Sequence, residues 1–309
     1  MRTTNATIGT INSSLTKTLP GFTVQTEAVA DNADVSNHTI TYEVYSGSET
    51  PERTMILCHG ASCTRHTMKV LAAELVKHRP QDRLIIMDVP WHGESMSDGP
   101  IDYTTVHTYA DVLQNFVQQL RENGTIQGSL AWFGWSMGGS IGMLLELNGV
   151  DIDELVLINT SPVWETIQGM LATIPALSDP NQISDVFRLV MAEDMAVGTN
   201  EAERDGIIAQ FADIVSEPHV MINDFAGLKP DKYDIRDRLQ NIQAKTVIVS
   251  GSQDNLATTE MQQVMIEQIP HAIAYISDGS HADVLKQHGA AIIASCFIEV
   301  CCYDADENE

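Results

Sequence analysis

The chain has 309 residues, 43% of them hydrophobic, enough for one large α/β domain or a domain carrying an insertion. The 42 acidic residues outnumber 17 basic ones, and the resulting net charge of −25 argues against nucleic acid and anionic membrane surfaces as partners. Five cysteines, an odd number with Cys301 and Cys302 adjacent, do not form a disulfide framework, and none has the Cys-x-x-Cys spacing of a zinc site.

Residues 1–20 are polar, rich in Thr, Asn and Ser, and lack the basic and apolar regions of a signal peptide. No apolar run approaches the roughly 20 residues that span a bilayer. A cytoplasmic protein is the expectation, with free thiols suited to a reducing compartment. Phe22 to Ala28 and Thr39 to Tyr45 alternate and are β-branched, which predicts an antiparallel pair. Arg53 to Cys58 is apolar on both faces, as in a buried strand, and ends at His59-Gly60. A helix is expected from about His66 to His78. Arg83 to Asp88 is the next buried strand, followed by the loop Val89-Pro90-Trp91-His92-Gly93-Glu94-Ser95. Helical periodicity runs through 104–121, and Asn123-Gly124 closes that helix.

An apolar run, Leu130 to Phe133, then leads into Gly134-Trp135-Ser136-Met137-Gly138-Gly139 and a further helix. Strand, tight turn with a central serine, and helix form a G-x-S-x-G nucleophile elbow. Its serine takes a strained backbone conformation that lifts the hydroxyl beyond the sheet edge. Glu154 to Asn159 is another buried strand.

Strand signals disappear between Pro162 and about Lys232, where helices are expected at 166–177, 183–192, 201–214 and 218–228. This stretch reads as a helical insertion. The sheet resumes at Lys245 to Ser250, followed by Asp254, a helix over about 258–268, a last strand over 272–276, then His281 and a final helix over about 289–300.

A serine hydroxyl is a weak nucleophile until a base takes its proton, and the base needs an acid to orient it. The chain supplies all three in the order Ser136, Asp254, His281. Each follows a predicted parallel strand, and in an open α/β sheet such loops gather at one edge. His92, in the loop after an earlier strand, is a weaker candidate for the base than His281.

These stretches resemble the α/β-hydrolase superfamily, in its serine esterase and lipase-like branch with a helical cap. The matching segments are Leu57-Cys58-His59-Gly60-Ala61, Asp88 to Ser95, Gly134 to Gly139, Val249 to Asp254 and Gly279-Ser280-His281. The resemblance covers about 20–160 and 232–300. It implies an α/β-hydrolase fold: a mostly parallel sheet flanked by helices, with core at 1–161 and 233–309 and a helical cap at 162–232. It further implies nucleophile Ser136, base His281, acid Asp254 and oxyanion-hole amides at Ala61 and Met137, with neither metal nor cofactor. Trp135 departs from the histidine that many relatives carry there, which would narrow the pocket. A serine at the elbow excludes the aspartate-dependent dehalogenases and epoxide hydrolases of this fold. The implied activity is hydrolysis of a small to medium carboxylic ester through an acyl-enzyme, with a small-molecule substrate. C–C bond, lactone or thioester hydrolysis and perhydrolysis stand as alternatives, and a non-catalytic binding protein would require a damaged triad. A homo-oligomer is compatible with the sequence.

Overall fold

The computed structural model describes residues 17–30, 37–98, 101, 105–167 and 216–306. Among these, nine strands form one sheet. They are β1 (Phe22–Ala30), β2 (Asn37–Tyr45), β3 (Arg53–Cys58), β4 (Arg83–Met87), β5 (Met96–Ser97), β6 (Ser129–Trp135), β7 (Glu154–Ile158), β8 (Lys245–Gly251) and β9 (Ile273–Ser277). The spatial order is β1-β2-β4-β3-β6-β7-β8-β9, with β5 paired to β2. The pairs from β4 through β9 are parallel, and β2 joins them antiparallel through β4. The expected hairpin is present, with Phe22 opposite Tyr45 and Ala28 opposite Thr39.

The helices between strands are α1 (Lys69–His78), α2 (Val106–Glu122) and α3 (Met137–Leu147). They are followed by α4 (Pro218–Gly227), α5 (Thr259–Gln268) and α6 (Gln287–Asp306). The path from β3 through α1 to β4 moves one way across the sheet, and the path from β4 through α2 to β6 moves the other. Right-handed crossovers therefore place α1 and α2 on opposite faces. Contacts agree: α1 packs on α6, and α2 packs on α3. The α2 stripe of Tyr109, Val112, Leu113, Phe116, Val117 and Leu120 is wholly buried, as its periodicity predicts. The central strands are buried on both faces because helices cover both.

The reversal of direction at β3 and β6 has a functional consequence. It opens a crevice at the carboxyl ends of these neighbouring strands, the place where open α/β sheets bind ligands.

Three boundaries differ from expectation. The two-residue β5 is too short to leave a period-2 pattern. Residues 65–68 form a 3-10 turn before α1. The last helix, expected over about 289–300, runs from Gln287 to Asp306. The helices expected at 183–192 and 201–214, and most of 166–177, lie outside the described residues. Among the described residues, no helix is long and apolar enough to cross a membrane.

Candidate active site

Ser136 caps β6 and starts α3 with φ 54° and ψ −121°. A non-glycine residue in that region costs on the order of 1–3 kcal/mol and persists only where its surroundings enforce it. Three hydrogen bonds do so here. The Ser136 amide donates to Ile158 O at 2.9 Å, and its carbonyl accepts from Gly139 N at 2.9 Å and from Thr160 Oγ1 at 2.6 Å. The flanking glycines are a packing requirement. A Cβ at Gly134 would lie 2.3 Å from Gly138 O, and one at Gly138 would lie 2.3 Å from Cys58 O. Strand and helix could not approach this closely with any side chain there.

His281 Nε2 lies 3.0 Å from Ser136 Oγ. Its Nδ1 faces Asp254, at 2.9 Å from Oδ2 and 3.1 Å from Oδ1. The carboxylate selects the tautomer with its proton on Nδ1, so Nε2 is left to accept from the serine. Asp254 is itself held by the amides of Leu256 and Ala257, which donate to Oδ1 at 2.8 and 2.9 Å. All three side chains are buried: Ser136 is 7% exposed, Asp254 6% and His281 3%.

The loop carrying His281 is braced from several sides. Trp135 Nε1 donates to His281 O at 2.7 Å, and Asn159 Nδ2 donates to Ser280 O. Asp283 accepts from Ser280 N and from Ser277 Oγ, each at 3.2 Å, and so serves the loop backbone; the imidazole is served by Asp254. Trp164 meets the His281 ring edge-on, 6.2 Å between centroids, and its Nε1 donates to Ser140 Oγ at 3.0 Å. The position of Trp135 in the elbow marked it as unusual; nothing local in the sequence marked Trp164 or Asn159.

Ala61 follows β3 and Met137 opens α3, so both border the crevice beside Ser136. Met137 lies in the first helical turn, where amides have no intrahelical acceptor and the helix dipole favours negative charge. A pocket over Ser136 and His281 is lined by Gly60, Ala61, Trp135, Trp164, Ile167, Phe225, Leu228 and Leu256. Apart from His281, none of these lining residues ionises near neutral pH.

His92 is fully buried and stands apart from this group. Its Nδ1 donates to Pro90 O at 2.9 Å and its Nε2 to Asp224 Oδ2 at 2.8 Å. Burial opposes its charge, but the Asp224 carboxylate and the Pro90 carbonyl outweigh burial and raise its pKa. The nearby His59 is neutral: its Nδ1 donates to Gly60 O at 2.8 Å while its Nε2 accepts from Val89 N at 3.0 Å. Burial first, then the charge on His92, hold its pKa well below the usual value. Among the described residues, no group of three or more His, Cys, Asp or Glu side chains is arranged to hold a metal ion.

Residues 55–294 match the model of the alpha/beta hydrolase family. The chain belongs to that family. One relative of this α/β hydrolase is a pimeloyl-acyl-carrier-protein methyl ester esterase of Vibrio vulnificus. It is 25% identical over 246 residues, 75% of this chain and 89% of that protein. Among solved structures, an esterase from Exiguobacterium antarcticum superposes with a TM-score of 0.71 at 19% identity, covering 89% of this chain and 99% of the other. The enol-lactonase from Burkholderia xenovorans gives 0.68 at 18% identity, covering 88% and 98%. These two place the fold of the hydrolase.

Proposed function

We propose that this α/β hydrolase is a serine esterase that cleaves a small to medium carboxylic ester through an acyl-enzyme on Ser136. The observation that carries the reading is the continuous chain of contacts from Ser136 Oγ to His281 Nε2 at 3.0 Å and from His281 Nδ1 to Asp254 at 2.9 Å. In this reading His281 takes the serine proton as Oγ attacks the ester carbonyl. Asp254 stabilises the imidazolium that results. The amides of Ala61 and Met137 donate to the tetrahedral oxyanion, the usual source of the largest single rate contribution. The alcohol leaves with the proton from His281, and a water, deprotonated by the same ring, releases the acid.

The pocket wall supports an uncharged, apolar substrate. Among the described residues it presents Trp135, Trp164, Ile167, Phe225, Leu228 and Leu256, with no cation to hold a carboxylate or phosphate. Trp164, Ile167, Phe225 and Leu228 come from the two ends of the stretch read as a cap. Those ends meet: Ile235 N donates to Pro162 O at 3.0 Å, and Val163 pairs with Asp234. This supports the division into core at 1–161 and 233–309 with a cap at 162–232 over the elbow. The activity of the Vibrio vulnificus relative, a methyl ester esterase, agrees with ester hydrolysis. Cys58, Cys63 and Cys296 are free thiols, which supports a cytoplasmic setting.

A fluorophosphonate probe tests the assignment. The parent should be labelled once, and Ser136→Ala should abolish labelling. Labelling that persists at another serine would overturn it. A panel of p-nitrophenyl esters and thioesters of graded chain length then defines the acyl preference. A preference for thioesters at every length would shift the reading to the alternative chemistry.

A further inference from the structure

We propose that Asp224, on α4, is a positioning residue that fixes the oxyanion loop and so sets the aim of the Ala61 amide. The proposal rests on the acyl-enzyme reading of Ser136. Asp224 is 1% exposed, and each carboxylate oxygen has a donor. Oδ2 accepts from Ser62 N at 2.7 Å and from His92 Nε2 at 2.8 Å, and Oδ1 accepts from Tyr109 Oη at 2.7 Å. A buried carboxylate requires such saturation, and His92 supplies the countercharge.

The geometry at the loop gives this carboxylate its consequence. Ala61 lies between two peptide planes, and each plane is tied at one end. The Gly60–Ala61 plane is held by its carbonyl, which accepts from His59 Nδ1 at 2.8 Å and from Cys63 N at 3.3 Å. A trans peptide directs its N–H opposite its carbonyl, so the Ala61 amide is aimed away from these donors. The next plane, Ala61–Ser62, is held by its amide through Asp224. Ser62 also has a φ of 63°, which a non-glycine residue keeps only under restraint. The same limb adds two more ties: Ser216 N donates to Ser62 O at 2.8 Å, and Ser216 Oγ donates to Cys63 O at 2.9 Å.

The adjacent residue, Phe225, lines the pocket. One helix therefore supplies both a wall against the substrate and the anchor of the loop that polarises it. Asp224 does not touch the reacting atoms; it acts through the Ser62 amide.

The test compares D224A and D224N with the parent, each confirmed folded by circular dichroism. Rates are measured on p-nitrophenyl acetate and butyrate, and affinity on an alkyl trifluoromethyl ketone, which forms a tetrahedral adduct with the serine. D224A should lower kcat by about 10²-fold, the scale of losing one oxyanion donor, with KM within about threefold. Ketone affinity should fall by the same factor as kcat. D224N keeps an oxygen able to accept from Ser62 N and should lose only about tenfold, the scale of a supporting hydrogen bond. A change confined to KM, a loss of kcat with unchanged ketone affinity, or D224N no better than D224A would overturn the proposal. Should D224A not fold, D224N decides alone: parent-like kcat and ketone affinity would overturn it. Fluorophosphonate labelling of the parent is run alongside. A parent that is not labelled at Ser136 refutes the acyl-enzyme reading, whereas a labelled parent with unaffected Asp224 variants refutes only the positioning role.

Discussion

His281 meets Asp254 at 2.9 Å and His92 meets Asp224 at 2.8 Å, and all four side chains are buried. By distance and burial the two pairs are near copies. They differ in what the second ring nitrogen faces. For His281 it is the hydroxyl of Ser136, at 3.0 Å, which has a proton to give. For His92 it is the carbonyl of Pro90, at 2.9 Å, which can only accept. His92 therefore donates from both nitrogens and is held as the imidazolium, a fixed charge. His281 is placed to accept that proton. A buried His–Asp pair can relay a proton only where its third partner has one to give. Elsewhere it is a fastening, and here it fastens α4 to the loop after β4.

The largest effect that separates the pairs is catalytic. His281→Ala should lower ester turnover by about 10⁴-fold or more, the scale of losing a triad member, with modest change in stability. His92→Ala should do the reverse. Removing one member of a buried ion pair strands the other, at a cost of about 3–5 kcal/mol in unfolding free energy. The folded fraction should still turn over within about tenfold of the parent. Urea unfolding and steady-state rates on the same preparations check both. A collapse of turnover in folded His92→Ala with His281→Ala active would reverse the assignment.

A smaller contrast lies within the His281 loop, between the two aspartates that approach it. Asp254→Asn should lose on the order of 10²–10⁴ in kcat, because the amide no longer fixes the useful tautomer. Asp283→Asn should stay within about tenfold, since its contacts are to Ser280 N, Ser277 Oγ and Lys286. Near-parent activity in folded Asp254→Asn, with collapse in Asp283→Asn, would sink the triad as drawn.

The meeting of Ser136, His281 and Asp254 was legible in the sequence and that of Asp224 and His92 was not, for a physical reason. Parallel strands buried on both faces leave continuous apolar runs, so Arg53–Cys58, Arg83–Met87 and Glu154–Ile158 announce themselves, and the loop after each run falls at one sheet edge. Ser136 and Asp254 inherit their place from that rule, and His281 follows β9, a largely exposed edge strand that runs parallel to β8 and so ends at the same sheet edge. Asp224 has no such address. It lies on a helix of the insertion, in the run Ile222-Asn223-Asp224-Phe225, where a carboxylate ordinarily reads as a solvated face. Only the long-range packing of α4 against Ser62, His92 and Tyr109 reveals it as buried. Trp164 and Asn159 escaped for the same reason: their partners, Ser140 and Ser280, are 24 and 121 residues away in sequence.

The smallest effect is electrostatic, and its sign differs between the buried His92 and the partly buried His66. The folded pKa of His92 is raised, so its contribution to stability is fully present below the ordinary histidine pKa of about 6.5 and is lost as pH rises through the raised value. His66 behaves oppositely. Burial, then the charges of Lys69 and Arg65, lower its pKa to about 3, and its Nδ1 has no hydrogen-bond partner. Its contribution is present above pH about 6.5 and is lost as pH falls toward the folded value, because the unfolded chain takes up the proton first. His66→Gln should therefore flatten the acid side of the stability curve, by on the order of 1 kcal/mol between pH 6.5 and 5, and leave the alkaline side parallel to the parent. His92→Gln should leave the acid side parallel and remove the part of the alkaline decline that its deprotonation causes. Urea midpoints at half-unit pH steps resolve the two. Parent and His66→Gln curves that stay parallel below pH 6.5 would show that the ring is not neutral in the fold, and a parallel alkaline limb for His92→Gln would show that its charge is not held by Asp224.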